Sequence, residues 1–146
     1  MFNEKNVRCI QRVFNWEAAI KEAAQPLINN GDIADIYVKK IIENTKKMGF
    51  YMVLDDYIAM PHARPEDGVK NTSIAFLKLN EAVNFGTEKV YLIFLVAAKD
   101  ANTHIDILKG LMFIFQNEEL KKKLIEAKTK EELLEILKGV DVKWKL

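Results

Sequence analysis

The run VYLIFLVAA at residues 90–98 constrains the fold more than any other segment of the chain. It is continuously apolar and rich in β-branched and aromatic residues, which predicts a strand buried on both faces of a sheet. It is far too short to cross a bilayer as a helix. A strand buried on both faces needs helices packed on each side of its sheet, so the segment favours an α/β fold with this strand at the centre.

Shorter apolar runs supply the other strands. Residues 7–14 (VRCIQRVF) predict a first strand near a sheet edge, and SIAFLKL at residues 73–79 predicts another. The runs FYMVL and YIAM, separated by Asp55 and Asp56, predict a hairpin or a bent strand. Alternation of helices with strands favours parallel pairs, whereas the FYMVL/YIAM pair favours antiparallel pairing. We therefore expect a single α/β domain at residues 1–146, with about five strands in a mixed β-sheet flanked by α-helices.

Two helices are predicted in the first third of the chain. Asn15 is expected to cap WEAAIKEAAQPLINN, in which Pro26 is expected to bend or interrupt the helix before it ends at Asn30. Asp32 is expected to cap the next helix, which stops at Gly49. The apolar face of this second helix is predicted to contain Ile33, Ile36, Tyr37, Ile41 and Met48.

Three more helices are predicted after the apolar strand. The first is ANTHIDILKGLMFIFQN, whose predicted buried face contains Ile105, Leu108, Met112 and Phe115. Asn117 is expected to cap EELKKKLIEA, and Thr129 with Glu132 matches a capping box before EELLEIL. The aromatic residues interpreted as packing residues are Trp16, Trp144, Phe113 and Phe115.

The charge balance and the cysteine content narrow the class of protein. The 22 basic and 21 acidic residues leave a net charge near +1, so neither nucleic acid nor an anionic membrane is expected as a partner. Cys9 is the single cysteine and is interpreted as a packed small hydrophobic residue, which makes a reducing, cytoplasmic setting the simplest expectation. Neither GxxxxGK nor GxGxxG occurs in the sequence, so no nucleotide cofactor is expected.

The segment AMPHARPEDG at residues 59–68 contains His62, one of two histidines in the chain. Pro61 and Pro65 force the residues before them into extended conformations, so His62 is expected on a stiff loop after a strand. A neutral imidazole held in one rotamer is a nucleophile that can accept a group and pass it on. If that group is a phosphoryl, cations or N–H donors must surround its oxygens.

Two further residues fit such a site. Arg64 is close enough in sequence to supply a guanidinium to a phosphoryl group. His104 is expected at the start of the helix after the central strand, where unpaired N–H groups and the helix dipole favour a phosphate and a neutral imidazole. The residues alone are also compatible with a solvated surface turn and a surface histidine.

A metal-dependent hydrolase is another interpretation of the same residues. His62 and His104, together with Glu66 or Asp106, would supply the minimum ligand set of a zinc site. No HExxH or similarly close ligand pair occurs in the sequence, so no metal is expected.

The run YIAMPHARPEDGV resembles the phosphohistidine motif of the enzyme IIA domains of the bacterial phosphoenolpyruvate-dependent sugar phosphotransferase system. Within that system the chain resembles the mannitol/fructose superfamily, and HARPEDGV is most similar to the ascorbate-type branch. The similarity covers nearly the whole chain, from the NWEAAI helix through the apolar strand and THIDIL to EELLEIL.

The resemblance implies an enzyme IIA component that works as a phosphocarrier. His62 would accept a phosphoryl group from phospho-HPr and pass it to a cysteine of a cognate IIB protein, while His104 would contact the phosphoryl group. The membrane IIC component would take part only indirectly. Ascorbate or a related polyol or acid sugar is the leading candidate for the transported sugar, and the oligomeric state stays open. A regulatory IIA-like module, phosphorylated to control a partner protein, is the alternative.

One position departs from the mannitol-type pattern. Those relatives carry a phosphate-binding arginine upstream of the motif, whereas this chain has NTKKMGF, with Lys46 and Lys47 nearest. A lysine offers a point charge without the bidentate fork of a guanidinium. Arg64 is therefore expected to be the main guanidinium donor, and the resemblance leaves open whether Lys46 or Lys47 replaces the arginine.

Overall fold

The computed structural model describes residues 2–140, and within that range it contains five strands and five α-helices. The strands are β1 (Val7–Ile10), β2 (Val53–Asp55), β3 (Tyr57–Ala59), β4 (Ser73–Phe85) and β5 (Glu88–Ala97). The helices are α1 (Trp16–Asn29), α2 (Asp35–Met48), α3 (Ala101–Phe115), α4 (Glu118–Glu126) and α5 (Lys130–Lys138), and a short 3-10 helix covers Pro65–Asp67.

The described strands form one mixed sheet in the order β1-β4-β5-β3-β2. The central strand β5 is antiparallel to β4 and parallel to β3, while β1 pairs parallel with β4 and β2 pairs antiparallel with β3. The predicted mixed sheet, its buried central strand, the edge position of β1 and the FYMVL/YIAM hairpin are all confirmed. Because β3 and β5 run parallel, their C-terminal ends lie at the same end of the sheet.

Helices cover both faces of this sheet because the side chains of β5 alternate between two cores. One face packs against α1 and α2 and the other against α3, α4 and α5. The alternating β5 residues are Ile93, Leu95 and Ala97 on the first face and Leu92, Phe94 and Val96 on the second. Burying each large side chain contributes about 1.5–3 kcal/mol. The central strand is therefore fixed from both sides up to its C-terminal end.

Two strand boundaries differ from the prediction. β1 ends at Ile10 rather than Phe14, whose side chain is 94 % exposed. β4 does not stop at Leu79 but continues as one arm of a hairpin with β5. The second half of β4 was not predicted because it contains polar residues. Their exposed side chains alternate with those of the buried Val83 and Phe85.

The first helix begins as predicted and ends as predicted. The Asn15 side chain accepts a hydrogen bond from the Ala18 N–H at 2.9 Å, which is an N-cap. Pro26 was expected to bend or interrupt the helix, and the interruption is wrong, since α1 continues through Pro26 to Asn29.

The start of α2 was predicted incorrectly, although its end at Gly49 is confirmed. The residue before the helix is Ala34, which makes no side-chain cap. Asp32 instead accepts hydrogen bonds on its carbonyl from the N–H groups of Lys70 and Asn71, at 2.8 and 3.0 Å. Asp32 therefore ties the loop before α2 to the segment that follows the His62 loop.

The buried faces of α2 and α3 agree with their predictions only in part: Tyr37, Ile41 and Phe115 are buried as predicted. Against the prediction, Ile36 and Met48 of α2 and Ile105 of α3 are exposed, at 46 %, 65 % and 47 %. Phe113, predicted as a packing residue, is 58 % exposed, so that prediction is wrong. The buried residues are Tyr37, Val38, Ile41 and Thr45 in α2, and Ile107, Leu111, Ile114 and Phe115 in α3. Each helix also has apolar residues outside its buried set, so a spacing of three or four residues fitted more than one face.

The caps of the last two helices are confirmed. Asn117 accepts a hydrogen bond from the Leu120 N–H at 3.0 Å, and the Thr129 hydroxyl accepts one from the Glu132 N–H at 3.2 Å. These bonds satisfy N–H groups that have no partner inside the helix.

Among the aromatic residues, Trp16 packs edge-on against Phe50 with ring centroids 5.4 Å apart, as a packing residue should. Trp144, also predicted to pack, lies outside the described residues. Within residues 2–140, every helix is too short or too polar to cross a membrane.

A charged side chain is buried between the sheet and the α4–α5 connection. Lys78 is fully buried, and its ammonium group donates hydrogen bonds to Asn80 Oδ1 at 2.7 Å and to the Ala127 carbonyl. Cys9 Sγ, on the paired strand β1, lies 3.5 Å from the same Asn80 oxygen and 3.4 Å from the Lys128 carbonyl. Burial lowers the pKa of Lys78 and raises the pKa of Cys9. These five residues are named the lysine cluster below.

Candidate functional site

His62 lies on the loop after β3, at the end of the sheet where β5 also ends. The loop extends the pairing of these two strands, because the Pro61 carbonyl accepts a hydrogen bond from the Val96 N–H at 3.0 Å. On the other side, the Met60 N–H donates to the Met52 carbonyl at 2.8 Å. The residues before His62 are thus anchored to the backbone of two neighbouring segments.

Two tyrosine hydroxyls hold the peptide group that joins His62 to Ala63. The Tyr51 hydroxyl donates to the His62 carbonyl at 2.8 Å, and the Ala63 N–H donates to the Tyr37 hydroxyl at 3.0 Å. The Tyr37 hydroxyl in turn donates to the Val96 carbonyl at 2.6 Å. Burial raises the pKa of both Tyr37 and Tyr51. Both phenols therefore keep their protons near neutral pH and act as lasting hydrogen-bonding groups.

The imidazole of His62 has a defined orientation. Its Nδ1 lies 2.9 Å from the Met60 carbonyl oxygen. A carbonyl can only accept, so Nδ1 carries the proton and a neutral ring presents the lone pair of Nε2. The ring is half-buried, and the edge-to-face contact with Tyr51 places the two centroids 5.5 Å apart. The arrangement fixes one ring nitrogen and leaves the other available for chemistry.

The structure brings the two predicted histidines together. The centroids of His62 and His104 are 4.9 Å apart with an angle of 40° between the ring planes. His104 lies in the first turn of α3 and is half-buried. Burial, and then repulsion from the His62 ring, lowers the pKa of His104 below its usual 6.5. A neutral His104 therefore has one N–H that it can donate to a group held by His62.

The N-terminus of α3 differs from the expectation of free N–H groups. The Asp100 carboxylate accepts hydrogen bonds from the Thr103 N–H at 2.8 Å and from the Thr103 hydroxyl at 2.7 Å. These bonds, with a further one from the Asn102 N–H, lower the pKa of Asp100 and keep it ionised. We expected this helix to offer unpaired N–H groups to a phosphate. That expectation is wrong for the N–H groups of Asn102 and Thr103, because both already donate to the Asp100 carboxylate.

Arg64 is placed differently from the histidines. Its backbone N–H donates to the Asp67 carboxylate at 3.1 Å, and its carbonyl accepts from the Asp67 N–H at 3.0 Å. Its side chain is exposed, and within residues 2–140 no contact joins the guanidinium to either imidazole. A role for Arg64 in binding phosphate stays a prediction.

Gly68 ends the His62 loop with a φ of 122°, a conformation that favours glycine. A Cβ atom here would lie 2.8 Å from Cγ2 of Ile36, and the Gly68 carbonyl accepts a hydrogen bond from the Ala34 N–H at 2.9 Å. The loop is thus fitted closely against the start of α2. The exposed side chains of Ile36, beside the loop, and of Ile105, next to His104, give the site apolar flanks.

The two upstream lysines have partners away from the histidines. Lys46 Nζ lies 3.6 Å from Glu17, and Lys47 Nζ lies 3.3 Å from Glu43. Both lysine side chains are mostly exposed, at 62 % and 69 %. Within residues 2–140, each of these lysines therefore pairs with a carboxylate rather than with His62 or His104.

Three residues that support the loop were not predicted from the sequence. Tyr37 and Tyr51 bond to the peptide after His62, and the Asn44 side chain hydrogen-bonds to Tyr51. Tyr37 was predicted only as part of an apolar face. The available signal was general: a buried tyrosine needs a partner for its hydroxyl, but the sequence does not say which one.

The geometry does not support the interpretation as a metal-dependent hydrolase. Among the described residues, no three His, Cys, Asp or Glu side chains lie where they could hold one metal ion. Glu66 and Asp106 are both exposed. Within residues 2–140, the histidine pair therefore has no carboxylate placed to complete a ligand set.

The motif and the paired histidines agree with a comparison to known families. The profile described as "Phosphoenolpyruvate-dependent sugar phosphotransferase system, EIIA 2" matches residues 1–140. The chain belongs to this family. It is an enzyme IIA component of the phosphotransferase system, as the motif around His62 predicted.

Curated relatives of this IIA protein differ in their sugars. It is 34 % identical over 143 residues to the mannitol-specific phosphotransferase enzyme IIA component of Bacillus subtilis (strain 168), covering 94 % of this chain and 96 % of the relative. It is 31 % identical over 137 residues to the ascorbate-specific PTS system EIIA component of Shigella boydii serotype 4 (strain Sb227), covering 91 % and 89 %. The two identities, to a mannitol-specific and to an ascorbate-specific relative, are too similar to assign a sugar to this chain.

Solved structures share the fold of the IIA protein. A chain in the complex of enzyme IIA-Mtl and phosphorylated enzyme IIB-Mtl from Escherichia coli superposes with a TM-score of 0.80 at 26 % identity, covering 95 % of this chain and 98 % of that one. The nitrogen regulatory protein IIA-Ntr from Neisseria meningitidis gives 0.71 at 25 % identity, covering 90 % and 91 %. This architecture therefore occurs both in an enzyme IIA that forms a complex with an enzyme IIB and in a nitrogen regulatory protein.

Proposed function

We propose that this IIA protein is a phosphocarrier in which His62 accepts a phosphoryl group from phospho-HPr and passes it to a cognate IIB protein. The observation that carries the proposal is the hydrogen bond from His62 Nδ1 to the Met60 carbonyl. It leaves the Nε2 lone pair free on a half-exposed ring that faces a second imidazole. A nucleophile of fixed direction at the surface fits a protein that must be reached by two partners in turn.

Phosphoryl transfer follows from this arrangement. Nε2 of His62 attacks the phosphorus, and the bond between phosphorus and the donor nitrogen of phospho-HPr breaks with its electron pair returning to the donor. Nδ1 keeps its proton, and the Met60 carbonyl stabilises the positive charge that the phosphorylated ring gains. In the second step a IIB cysteine thiolate attacks the phosphorus, and the pair of electrons returns to Nε2.

His104 and Arg64 have separate roles in this proposal. The ring of His104 is close enough to His62 to donate one N–H to a phosphoryl oxygen, and its lowered pKa keeps the ring from adding a fixed positive charge. The exposed Arg64 side chain supplies a guanidinium when a phosphoryl group or a partner's acidic group is near. These roles predict a smaller loss from removing His104 or Arg64 than from removing His62.

The proposed partners dock on the surface around the two histidines in the cytoplasm. The exposed Ile36 and Ile105 supply apolar contact area on either side of the site. Transient complexes of this kind bury modest areas, so that each partner can leave after transfer. Contact with the membrane IIC component is then indirect, through IIB.

The proposed sugar is ascorbate or a related polyol or acid sugar, on the basis of the ascorbate-type wording HARPEDGV. The IIA protein meets IIB rather than the sugar, so the choice of IIB reports the pathway. Phosphorylated protein should transfer its label faster to an ascorbate-type IIB than to a mannitol-type IIB. The reverse order would assign the chain to the mannitol pathway.

The central test is direct phosphorylation. Incubation with phosphoenolpyruvate, enzyme I and HPr should give an acid-labile, base-stable phosphoryl adduct. His62→Ala should abolish the adduct, while His104→Ala should still accept phosphate but transfer it onward more slowly. Labelling of His62→Ala at the rate of the parent protein would remove His62 from its assigned role.

A regulatory function is the second candidate, favoured by the match to the nitrogen regulatory protein IIA-Ntr. A regulatory module accepts the phosphoryl group but changes the binding of a partner instead of feeding transport. The two functions separate at the second step. Label that leaves the protein when a cognate IIB is added supports the carrier, whereas label retained with every IIB tested supports the regulator.

A further inference from the structure

The peptide bond after His62 is held at both of its polar ends. Its carbonyl accepts a hydrogen bond from Tyr51 on the connection before β2, and its N–H, which belongs to Ala63, donates to Tyr37 on α2. A peptide group is planar, so fixing both ends fixes the whole plane. The backbone at His62 therefore cannot rotate without breaking a hydrogen bond, and only the side-chain torsions of His62 are left to be set.

Tyr51 acts on the side chain of His62 as well as on its carbonyl. The planes of the two rings stand at 86°, an edge-to-face contact that an aromatic pair prefers. A rotation that took Nδ1 away from the Met60 carbonyl would also disturb this edge-to-face contact. The contact thus opposes the rotation that would misdirect Nε2.

We infer that Tyr51 is a positioning residue for phosphoryl transfer: its hydroxyl holds the His62 carbonyl and its ring holds the imidazole, so Nε2 keeps one direction during both transfers. The inference rests on the proposed role of His62. Tyr51 acts through His62, because its contacts are with the ring and the carbonyl of His62. The second imidazole at the site belongs to His104. The bond between Asn44 and Tyr51 extends this support to α2.

Tyr51 is a better test of positioning than Tyr37. Tyr37 is fully buried and also bonds to the Val96 carbonyl, so its replacement disturbs the core. Tyr51 is half-buried, and its hydroxyl hydrogen-bonds to His62 and to Asn44, both at the site. Changing Tyr51→Phe removes the hydroxyl and keeps the ring.

The first experiment compares Tyr51→Phe with Tyr91→Phe as a matched control. Tyr91 is also half-buried, but it lies on β5 about 16 Å along the strand from Val96 and packs against Tyr57. With phospho-HPr as donor, kcat should fall about 3- to 10-fold in Tyr51→Phe, the worth of one hydrogen bond, with KM unchanged. Tyr91→Phe should leave both constants unchanged.

The second measurement reads the orientation of His62 itself. Nitrogen NMR of ¹⁵N-histidine-labelled protein at pH 8 should show His62 with its proton on Nδ1 in the parent protein. In Tyr51→Phe a mixture of the Nδ1–H and Nε2–H forms should appear. A role of Tyr51 in stability alone would lower the unfolding temperature without changing this ratio.

The outcomes separate the inference from the proposed function. A lower kcat together with a shifted ratio of the two forms supports positioning. The inference is overturned if kcat is unchanged, if only KM changes, or if kcat falls while the ratio of the Nδ1–H and Nε2–H forms of His62 stays the same. An Nε2–H form of His62 in the parent protein also overturns it, and this result does not depend on whether the variant folds. Failure of the proposed function is a different result, in which the parent protein is not labelled or His62→Ala still is.

Discussion

The His62 site and the lysine cluster are two polar regions built against the same sheet, with opposite designs. In the lysine cluster the ammonium group of Lys78 is fully buried and donates to Asn80 and to the Ala127 carbonyl. At the site, His62 is half-buried and bonds through one ring nitrogen only. The cluster closes a gap between β4 and the α4–α5 connection, while the site keeps one reactive atom free.

The difference shows what distinguishes a reactive polar group from a structural one. A buried polar group is stable only when its partners satisfy it, and such groups have nothing left to offer a substrate. At His62 the carbonyl and the next N–H are both bonded, whereas the half-buried ring bonds through Nδ1 and leaves Nε2 without a partner among the described residues. Changes in the cluster should therefore affect stability, and changes at the site should affect transfer.

The largest effect on stability is expected from Lys78→Ala. The change removes the packed side-chain stem and leaves the Asn80 and Ala127 oxygens without their donor, so the free energy of unfolding should fall by about 3 kcal/mol or more. Lys78→Met keeps the volume and should lose less, about 1–2 kcal/mol. Urea unfolding gives both values. Labelling by phospho-HPr at a temperature where the variants are folded should be unchanged, and a loss of labelling would break the separation.

Tyr37→Phe is expected to affect both regions, since Tyr37 joins the core to the His62 loop. The substitution removes the hydroxyl that bonds to the Ala63 N–H and to the Val96 carbonyl. The loss of these two hydrogen bonds should lower the free energy of unfolding by about 2 kcal/mol. Labelling should slow at the same time, because the peptide after His62 loses one support. A variant that is less stable but labels at the parental rate would show that the loop is held by Tyr51 and Pro61 alone.

Asp100→Ala is expected to have a smaller effect. Loss of the N-cap of α3 should cost about 1 kcal/mol in a thermal or urea unfolding experiment. The freed N–H groups beside His104 should then slow the loss of the phosphoryl group from labelled protein. Asp100→Asn keeps a capping side chain without the charge, so it separates the loss of the cap from the loss of the charge.

The smallest expected effect is on the pH dependence of stability. The pKa of His104 is lowered in the folded protein, so the unfolded chain binds a proton more readily. Stability from this group is complete above pH 6.5 and is lost as the pH falls from there through the lowered pKa. The unfolding temperature should therefore fall less between pH 7.5 and 5.5 in His104→Gln than in the parent. Equal falls in the two proteins would show that His104 titrates as an ordinary surface histidine.

Much of the fold followed from local patterns. The apolar run of β5, the caps at Asn15, Asn117 and Thr129, and the hairpin of β2 and β3 were predictable because each depends on residues close in sequence. The second half of β4 and the faces of α2 and α3 were not. Their orientation is set by the packing of distant elements, which a local period does not determine.

The candidate site was predictable to a similar extent. His62 and His104 were recognised from a motif and from their positions at strand ends, and the structure places their rings together. Tyr37 and Tyr51 were missed because their partners are backbone groups of a loop that only the folded chain brings near. The carboxylate of Asp100 at α3 was missed because the same sequence could have left the helix N-terminus open for a ligand.

The Asp100 cap also bears on the energetics of a relay. If several helix amides bound the phosphoryl dianion, the phosphorylated protein would be strongly stabilised, and transfer to the next acceptor would be unfavourable. In the proposed relay the Asp100 carboxylate already holds those amides, so a phosphoryl group on His62 would gain little from the helix and its nitrogen–phosphorus bond would break readily. An equilibrium constant near one for each handover is the expected result, and it allows the group to move in either direction.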